Sequence, residues 1–419
     1  MVSQRIITIA ILILIVFLVD WYVFQAIRTV TQNLAWRNQR LVYIFYWGIF
    51  ALTVATIVVF TVTRGTPPSH FKMYLISTVF IIFASKLVVV LFLLLDDGIR
   101  LMKYLVTYIF NVPPNQPGPG VIKISRNEFL NKIALVAGAI PLTAFIYGMV
   151  RGAYNYQVKK VTIRLPNLPP AFNGYRALQI SDLHTGSFTS TNPLKKAVDL
   201  INKQKADLVF FTGDLVNNIS TEVSPYLDTL NKITAPDGVY SILGNHDYGD
   251  YVNWENREAK VNNLNRLKAA HQQMGWRLLL NENARVAKGN DVIAVIGVEN
   301  WSTRLHFPKY GNLAQAYAGT ENVPVKILLS HDPSHWDGEV NIKYNDINLT
   351  LSGHTHGMQF GVNIPGFKWS PVQYVYKQWA GLYKKESQYL YVNTGLGFLG
   401  YPGRVGFLPE ITVFEFRQA

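Results

Sequence analysis

The chain has 419 residues, of which 49% are hydrophobic and only 16% charged, against roughly 25% charged residues in an average soluble protein. This length suggests two or three structural units, and the composition excludes a long disordered protein, which needs low hydrophobicity and high net charge. Because the chain contains no cysteine, disulfide frameworks, thiolate zinc sites, iron–sulfur ligation and cysteine nucleophiles are also excluded.

The net charge of +13 is unevenly distributed along the chain. Residues 1–152 carry 13 Lys and Arg against 4 Asp and Glu, whereas residues 153–419 carry 26 against 22. A basic excess that is concentrated in the more apolar part is typical of loops that flank membrane spans. It argues against a nucleic-acid partner, which would need a concentrated basic face on the folded domain.

Four apolar stretches in residues 1–152 are candidates to cross a bilayer, which needs about 20 apolar helical residues. They are residues 6–27, 41–62, 74–95 and 133–150. The fourth is the shortest and contains Pro141, which a membrane helix tolerates when neighbouring groups satisfy the freed carbonyl. The sequence therefore predicts an N-terminal α-helical transmembrane bundle. Buried helices of a soluble fold are the alternative, chiefly for the fourth stretch.

The basic residues of the short loops predict how these spans are oriented. The first and third loops carry seven of them: Arg28, Arg37, Arg40, Arg100, Lys103, Lys123 and Arg126. The N-terminus and the second loop carry three: Arg5, Arg64 and Lys72. The first and third loops are therefore expected in the cytoplasm, and four spans place the C-terminal domain on the extracytoplasmic side of an inner or plasma membrane. If residues 133–150 do not span, that domain is cytoplasmic instead.

Two charged residues, Asp20 and Lys86, lie inside the predicted spans. Intramembrane charges can mark a transport or proton pathway. Each of these residues lies toward one end of its apolar stretch, however. Snorkelling to the interface or pairing within the bundle is therefore the favoured interpretation.

From about Val158 onward, short β-rich runs alternate with polar, helix-compatible stretches, which predicts an α/β domain over residues 158–419. Five of its predicted strands are followed within three residues by Asp, Asn or His. The polar residues after these strands are Asp182 and His184; Asp214; Asn245, His246 and Asp247; His331; and His354 and His356. Because ligands bind outside the carboxyl ends of the strands in α/β sheets, we expect these side chains to form one site.

The residue types at these strand ends are those of a metal site. Asp182 and His184 are two positions apart, so an extended chain directs both to one side, and His354 and His356 repeat that spacing. Each motif alone is weak, since a lone Asp-x-His is more often a turn than a ligand pair. Together, carboxylate, amide and imidazole ligands suit Mn²⁺, Fe or Zn²⁺ better than an all-oxygen Ca²⁺ or Mg²⁺ cage. Seven candidate ligands fit two divalent ions that share a bridging carboxylate, a centre that activates water and binds a phosphoryl group.

In chain order, the motifs D-x-H, G-D, G-N-H-D, H and G-H-T-H resemble the signature of the calcineurin-like metallophosphoesterases, particularly of their membrane-anchored bacterial branch. The resemblance extends from Val161 to the end of the chain. It implies a four-layer αββα sandwich with a dinuclear metal site at one edge of the sheets.

The resemblance also implies a role for each site residue. Asp182, His184 and His356 would hold one ion, and Asn245, His331 and His354 the other, with Asp214 bridging the two. His246 would protonate the leaving oxygen or stabilise the transferring phosphoryl group, with Asp247 orienting its ring.

Two further residues are candidates for substrate binding. Gln359 follows the last motif, where Met358 stands in place of a glycine common in this branch and is expected to narrow the mouth of the site. Arg404 could contact a substrate phosphate, although a structural role is an equal alternative. The aromatic residues between 360 and 383 are either an apolar rim over a lipid chain or, more commonly, ordinary core residues.

Together these features predict a membrane-anchored, metal-dependent phosphodiesterase or phosphomonoesterase, with a lipid-linked phosphoester as one candidate substrate. One alternative is hydrolysis of the pyrophosphate of UDP-diacylglucosamine in lipid A synthesis, which conflicts with an external domain. Another is a membrane sensor or transporter whose phosphoesterase-like domain only binds its ligand, against which the full set of metal and proton-donor residues argues. No feature of the sequence points to a protein partner.

Overall fold

The computed structural model describes residues 2–62, 69–110, 126–304 and 307–419. The chain divides into two compact units, Met1–Tyr147 and Gly148–Ala419. Arg64 and Lys123, two of the loop residues on which the predicted orientation rests, lie outside the described residues.

The first unit is built from long apolar helices. They are α1 (Val2–Thr31), α2 (Trp36–Val62), α3 (His70–Phe110) and α4 (Arg126–Val150), the last of which continues to the start of the second unit. All four are long and apolar enough to cross a membrane, which agrees with the four predicted spans. With 41 residues, α3 extends well past the predicted end at residue 95. At about 1.5 Å per residue it is roughly twice as long as a bilayer core is thick.

A buried ion pair lies inside the helical bundle. Lys86 of α3 binds the carboxylate of Asp20 of α1, and the Lys86 ammonium group lies 4.9 Å from the ring centroid of Tyr46 of α2. The Tyr46 hydroxyl donates to the backbone carbonyl of Asp20 at 2.8 Å. These contacts confirm the pairing interpretation, because each charge has an oppositely charged partner within the bundle.

The second unit contains two six-stranded sheets and a separate ribbon, with strands numbered in chain order. The order in the first sheet is β1 (Gln157–Leu165), β14 (Glu410–Gln418), β2 (Arg176–Ile180), β3 (Leu208–Phe211), β4 (Val239–Ser241) and β5 (Arg277–Leu278). The order in the second sheet is β12 (Gly381–Lys385), β13 (Gln388–Val392), β9 (Leu349–Ser352), β8 (Lys326–Leu329), β7 (Asp291–Gly297) and β6 (Glu282–Lys288). The ribbon pairs β10 (Val362–Ile364) with β11 (Phe367–Trp369). The helices are α5 (Asn192–Lys203), α6 (Leu227–Leu230), α7 (Arg257–Gln273), α8 (Leu313–Tyr317) and α9 (Asn341–Lys343).

Alternate residues of the central strands pack toward opposite sides, as the two-residue period of a strand requires. In β2, Ala177 packs between the two sheets and Leu178 packs in the layer beneath the helices. Ala197 of α5 and Leu267 of α7 belong to that helical layer. On the far side, Ala316 of α8 packs against the second sheet. The layers therefore run helix, sheet, sheet, helix, which confirms the predicted αββα sandwich.

The topology places the carboxyl ends of the central strands together. In the first sheet β2, β3 and β4 are parallel, and in the second sheet β8 and β9 are parallel. Hydrogen bonds between the loops continue the ladder past the strand ends. The N–H of Asp182 donates to the carbonyl of Gly213 at 2.9 Å, and the N–H of Gly353 donates to that of His331 at 2.9 Å. The loops that carry the predicted site residues are thus held side by side.

Candidate metal centre

The predicted metal ligands meet at this edge of the sheets. Asp182, His184 and His356 offer ligand atoms that all lie within 4.8 Å of one another, and Asp182, Asp214 and His331 form a second such group. Nε2 of His184 lies 3.0 Å from Nε2 of His356, and the latter lies 3.2 Å from a carboxylate oxygen of Asp182. Both groups are buried, so carboxylates and imidazoles converge away from water.

Asp214, a member of the second group, also approaches a histidine of the first group. Its Oδ2 atom is 3.1 Å from Nε2 of His331 and 3.6 Å from Nε2 of His184. Its other oxygen accepts a hydrogen bond from the backbone N–H of His246 at 2.9 Å, which holds the carboxylate in place. One oxygen of Asp214 thus faces a histidine of each group, as a bridging ligand must.

Asn245 and His354, the two remaining predicted ligands, contact each other. The side-chain oxygen of Asn245 lies 2.8 Å from Nδ1 of His354, and its amide nitrogen donates to the hydroxyl of Tyr251 at 2.8 Å. The ring centroids of His354 and His331 are 5.2 Å apart. All seven predicted ligands are therefore brought to one cluster.

Hydrogen bonds to the outer nitrogens orient two of these rings. Nδ1 of His331 donates to the carbonyl oxygen of Thr212 at 2.7 Å, which directs the other nitrogen into the cluster. Nε2 of His354 lies 2.8 Å from the hydroxyl of Tyr376, which donates to Asp332 at 3.3 Å. Contacts of this kind fix the tautomer and the orientation of metal-binding histidines.

Two glycines allow the carboxylates to enter the cluster. A Cβ atom on Gly353 would lie 2.2 Å from Oδ2 of Asp182, and one on Gly244 would lie 2.3 Å from Oδ1 of Asp214. Any larger residue would therefore displace a ligand. The donor set and this close approach fit two divalent cations, which bind carboxylate, amide oxygen and imidazole together.

The ligand residues themselves have a left-handed backbone. The φ angles are 51° for Asp182, 47° for His184, 58° for Asp214, 71° for His354 and 52° for His356. Residues other than glycine rarely adopt this backbone conformation. It is typically strained, and it occurs mainly at functional sites. The sharp turns after β2, β3 and β9 thus direct these five ligands into a common space.

His246 lies at the rim of the cluster and is partly exposed. Its Nδ1 donates to the carbonyl oxygen of Asn217 at 2.7 Å, and its ring centroid lies 5.0 Å from that of His184 and 4.7 Å from that of Tyr251. Its Nε2 has no hydrogen-bond partner among the described residues, so this atom is available to a bound substrate.

Asp247 does not have its predicted role. Its carboxylate accepts hydrogen bonds from the backbone N–H groups of Gly244, Asp214 and Leu215, at 2.8, 2.9 and 2.9 Å. The prediction that it orients the ring of His246 is therefore wrong, and Asp247 instead joins the loops that follow β3 and β4. Burial and the charge of Asp214 raise the pKa of Asp247 to about 7, although the N–H donors oppose this shift.

Opposite charges control protonation in the cluster. Burial favours the neutral form of Asp214, but His331 and His246 hold the pKa of its carboxyl well below the usual range. Burial lowers the pKa of the His331 imidazole, yet the carboxylates of Asp214 and Asp182 outweigh this effect and raise it to about 10. Burial lowers the pKa of His184 to about 3. The carboxylates of Asp182 and Asp214 thus favour positive charge on the groups that face them.

The two residues predicted to bind substrate are buried, and their polar groups are hydrogen-bonded within the protein. Arg404 is 1% exposed and donates to the carbonyl oxygens of Gly397 and Phe407 at 2.6 and 3.3 Å. Its Nη2 atom also lies 3.2 Å from Nδ1 of His356. Among the described residues, the Gln359 amide group bonds to backbone groups of the loop at residues 399–403. Both side chains support the loops behind the cluster, in contrast to the predicted contact with substrate.

Sequence reasoning missed three contributors to the cluster. Asn217 acts through its backbone carbonyl, which leaves no signal in residue type. Asp332 directly follows His331, and this adjacency was the one available signal for it. Tyr376 lies outside every motif and reaches His354 only through the fold.

Comparison with known proteins agrees with this geometry. Residues 175–358 match the family described as calcineurin-like phosphoesterase, and residues 4–153 match a probable transmembrane domain of calcineurin-like phosphoesterases. The uncharacterized metallophosphoesterase YkuE of Bacillus subtilis is 31% identical over 306 residues, which cover 71% of this chain and 99% of that protein.

Two further similar proteins differ from YkuE in how much of their length the chain covers and in the activity that their names state. A Danio rerio protein named "transmembrane protein with metallophosphoesterase domain" is 30% identical over 283 residues, which cover 65% of this chain and 60% of that protein. The UDP-2,3-diacylglucosamine pyrophosphatase LpxG of Chlamydia muridarum is more distant, with 24% identity over 308 residues, 62% of this chain and 89% of that protein.

An αββα sandwich that presents carboxylate, amide and histidine ligands at its strand ends defines a metallophosphoesterase. The chain belongs to the calcineurin-like phosphoesterase family, and it is a membrane protein that carries the transmembrane domain found with this family.

Proposed function

We propose that the chain hydrolyses a phosphoester with two divalent ions, Mn²⁺, Fe or Zn²⁺, bound in this cluster. Asp182, His184 and His356 would hold one ion, Asn245, His331 and His354 would hold the other, and Asp214 would be shared by both. Two ions in this arrangement would lower the pKa of a bound water molecule and neutralise charge on the phosphoryl oxygens. The position of Asp214, between His331 at 3.1 Å and His184 at 3.6 Å, carries the proposal.

His246 supplies the proton in this reaction. The carbonyl oxygen of Asn217 holds Nδ1, while Nε2 has no hydrogen-bond partner among the described residues. A proton on Nε2 can therefore pass to the oxygen that leaves with the alcohol, as a positioned general acid does. Asp247 holds the loops that carry Asp214 and Asn245, so it acts through them on the geometry of the centre.

The full chain, purified in detergent and loaded with Mn²⁺, tests the proposal with bis-p-nitrophenyl phosphate and p-nitrophenyl phosphate as diester and monoester. We expect hydrolysis of at least one, with kcat lowered about 10²–10⁴-fold in His246→Ala and abolished in Asp214→Ala. Asp228→Asn, an exposed carboxylate on α6, is the matched control and should retain the rate. Turnover that survives in both site variants contradicts the proposed roles of His246 and Asp214. Absence of hydrolysis by the unaltered chain contradicts the proposal and favours a domain that only binds its ligand.

We further propose that the catalytic domain lies on the extracytoplasmic side of the membrane. The support is the excess of basic residues in the first and third loops, together with a fourth helix long and apolar enough to span. Because the chain lacks cysteine, Glu255→Cys, at an exposed position, reports on sidedness. A membrane-impermeant maleimide should label intact cells. Labelling only after permeabilisation would place the domain inside and would favour a cytoplasmic nucleotide-linked lipid as substrate.

A further inference from the structure

Exposed apolar side chains of the catalytic domain are concentrated in one segment. Between β1 and the last residue, eleven large apolar side chains of the described residues are exposed, and seven of them lie between residues 358 and 382. They are Met358, Val362, Ile364, Phe367, Tyr374, Val375 and Leu382. We call residues 358–385, which end with β12, the apolar segment. Exposed apolar side chains that are concentrated in this way make the segment a candidate binding surface.

The ribbon of β10 and β11 gives this segment one apolar face. Ile364 is paired with Phe367 and Val362 with Trp369, so these four side chains share a face because residues two apart in a strand point the same way. Asn363 and Lys368 form the opposite, polar face. Ile364 is 58% exposed and Phe367 54%. The ribbon pairs with neither six-stranded sheet. Val362, Ile364 and Phe367 of its apolar face are exposed, whereas Trp369 is half-buried and packs near Phe360.

The charge of the apolar segment favours an anionic lipid surface. The segment contains Lys368, Lys377, Lys384 and Lys385 and no acidic residue. All four lysines are exposed. Their total of +4 equals the whole net charge of residues 153–419, where 26 basic residues stand against 22 acidic ones. Apolar side chains flanked by lysine are the combination that binds the headgroup region of anionic membranes.

The apolar segment is joined directly to the metal centre. Met358 lies in the same turn as His356, and the hydroxyl of Ser370 donates to the carbonyl of Gly357 at 2.9 Å. The Tyr376 hydroxyl lies 2.8 Å from Nε2 of His354. A membrane bound by this segment would therefore lie next to the ligands, and the chain already enters a bilayer through its N-terminal helices.

We propose that the apolar face of the β10–β11 ribbon inserts into the headgroup region of an anionic bilayer, so that the metal centre acts on phosphoesters at the lipid–water boundary. Insertion itself is independent of catalysis. Only the choice of an interfacial substrate rests on the function proposed above.

The absence of cysteine allows a direct test in the full chain. Phe367→Cys and, separately, Ile364→Cys are labelled with the fluorophore NBD and reconstituted into nanodiscs of phosphatidylcholine with 30% phosphatidylglycerol, a probe composition chosen to be anionic. We expect a blue-shifted emission and at least threefold stronger quenching by lipids brominated or spin-labelled near the headgroup than for the control Ile342→Cys. Ile342 is an equally apolar residue of α9 that is 65% exposed and lies outside the apolar segment.

Three results would overturn the proposal. The first is quenching at both ribbon positions that equals the Ile342→Cys control, and the second is equal quenching in nanodiscs of phosphatidylcholine alone. The third is a blue shift without lipid quenching, which would show that protein covers the ribbon. The quenching measurement does not depend on turnover. If the chain hydrolyses nothing but the ribbon positions are quenched, the insertion proposal stands and only the proposed function fails. If the chain hydrolyses bis-p-nitrophenyl phosphate but the ribbon positions are not quenched, the insertion proposal fails and the proposed function stands.

Discussion

The hydroxyl oxygen of Tyr376 lies 2.8 Å from Nε2 of His354, on the side of the imidazole opposite the atom that faces Asn245. The same hydroxyl donates to the carboxylate of Asp332. The carboxylate of Asp332, which also lies 3.6 Å from Nε2 of His354, therefore favours a proton on this nitrogen. Nδ1 is left with a lone pair for a cation.

Removing this hydroxyl should weaken metal binding. In Tyr376→Phe we expect the Mn²⁺ concentration for half-maximal hydrolysis to rise about 10–100-fold, the usual effect of losing such a partner. The rate at saturating Mn²⁺ should largely recover. Tyr374→Phe, an exposed tyrosine of the same segment, is the control. An unchanged metal requirement in Tyr376→Phe would show that the hydroxyl does not position His354.

Arg404→Lys separates a positioning role from substrate contact. Lysine has no planar fork and cannot reach the carbonyls of Gly397 and Phe407 while it also faces His356. We expect a raised Mn²⁺ requirement with KM for bis-p-nitrophenyl phosphate changed less than twofold at saturating metal. Arg285→Lys, which replaces an exposed arginine that also donates to a carbonyl, should alter neither. A rise in KM without a change in the Mn²⁺ requirement would instead support the prediction that Arg404 contacts a substrate phosphate.

Asp247→Asn should destabilise the catalytic domain. The amide has one acceptor oxygen in place of two, so it cannot accept all the N–H groups that Asp247 accepts from the loops after β3 and β4. An unsatisfied buried donor costs about 1–3 kcal/mol, which should appear as a lower midpoint of thermal unfolding of the full chain. Asp199→Asn on the exposed side of α5 should leave the midpoint unchanged. Equal midpoints for both variants would contradict this role for Asp247.

His271 should make the domain less stable in acid. It is fully buried beside Ser241, and burial lowers its pKa to about 3 from about 6.5 in an unfolded chain. Below pH 6.5 the unfolded state takes up a proton that the folded state refuses, so stability falls as the pH drops toward 3. His271→Phe is expected to be less stable at neutral pH. In this variant the free energy of unfolding should also fall less steeply between pH 7 and 5, by up to about 1.4 kcal/mol per pH unit. Unfolding midpoints of the two proteins over this pH range measure the difference. Parallel pH profiles for the two proteins would rule out this contribution.

The Asp20–Lys86 pair should show strong coupling. Removing one partner from a buried pair leaves an uncompensated charge and costs about 3–5 kcal/mol, whereas replacing both is far less destabilising. We therefore expect Asp20→Asn and Lys86→Met each to lower the unfolding midpoint of the membrane unit in detergent more than the double variant does. Additive losses would mean that the two charges do not depend on each other.

The sequence was most informative where a feature is local. Apolar stretches of membrane length predicted the four helices, and polar residues at strand ends predicted the seven members of the cluster. The extension of α3 to Phe110 could not be predicted from bilayer thickness, because that constraint ends where the apolar stretch ends.

Contacts that depend on the tertiary structure were missed or misassigned. Tyr376 and Arg404 meet His354 and His356 only through the fold. Asp247 is the neighbour of His246 in sequence, and this adjacency suggested a contact. At a tight turn, however, successive side chains point in different directions.

The left-handed backbone at Asp182, His184, Asp214, His354 and His356 links the folding of the domain to its metal supply. Strain of this kind costs roughly 1–3 kcal/mol per residue, and glycine would relieve it only by deleting a ligand. Ions that bind the folded state alone repay this cost in proportion to the logarithm of their free concentration. The unfolding midpoint should therefore rise with free Mn²⁺ even without substrate, so that scarcity of metal lowers the amount of folded enzyme as well as the activity of each molecule.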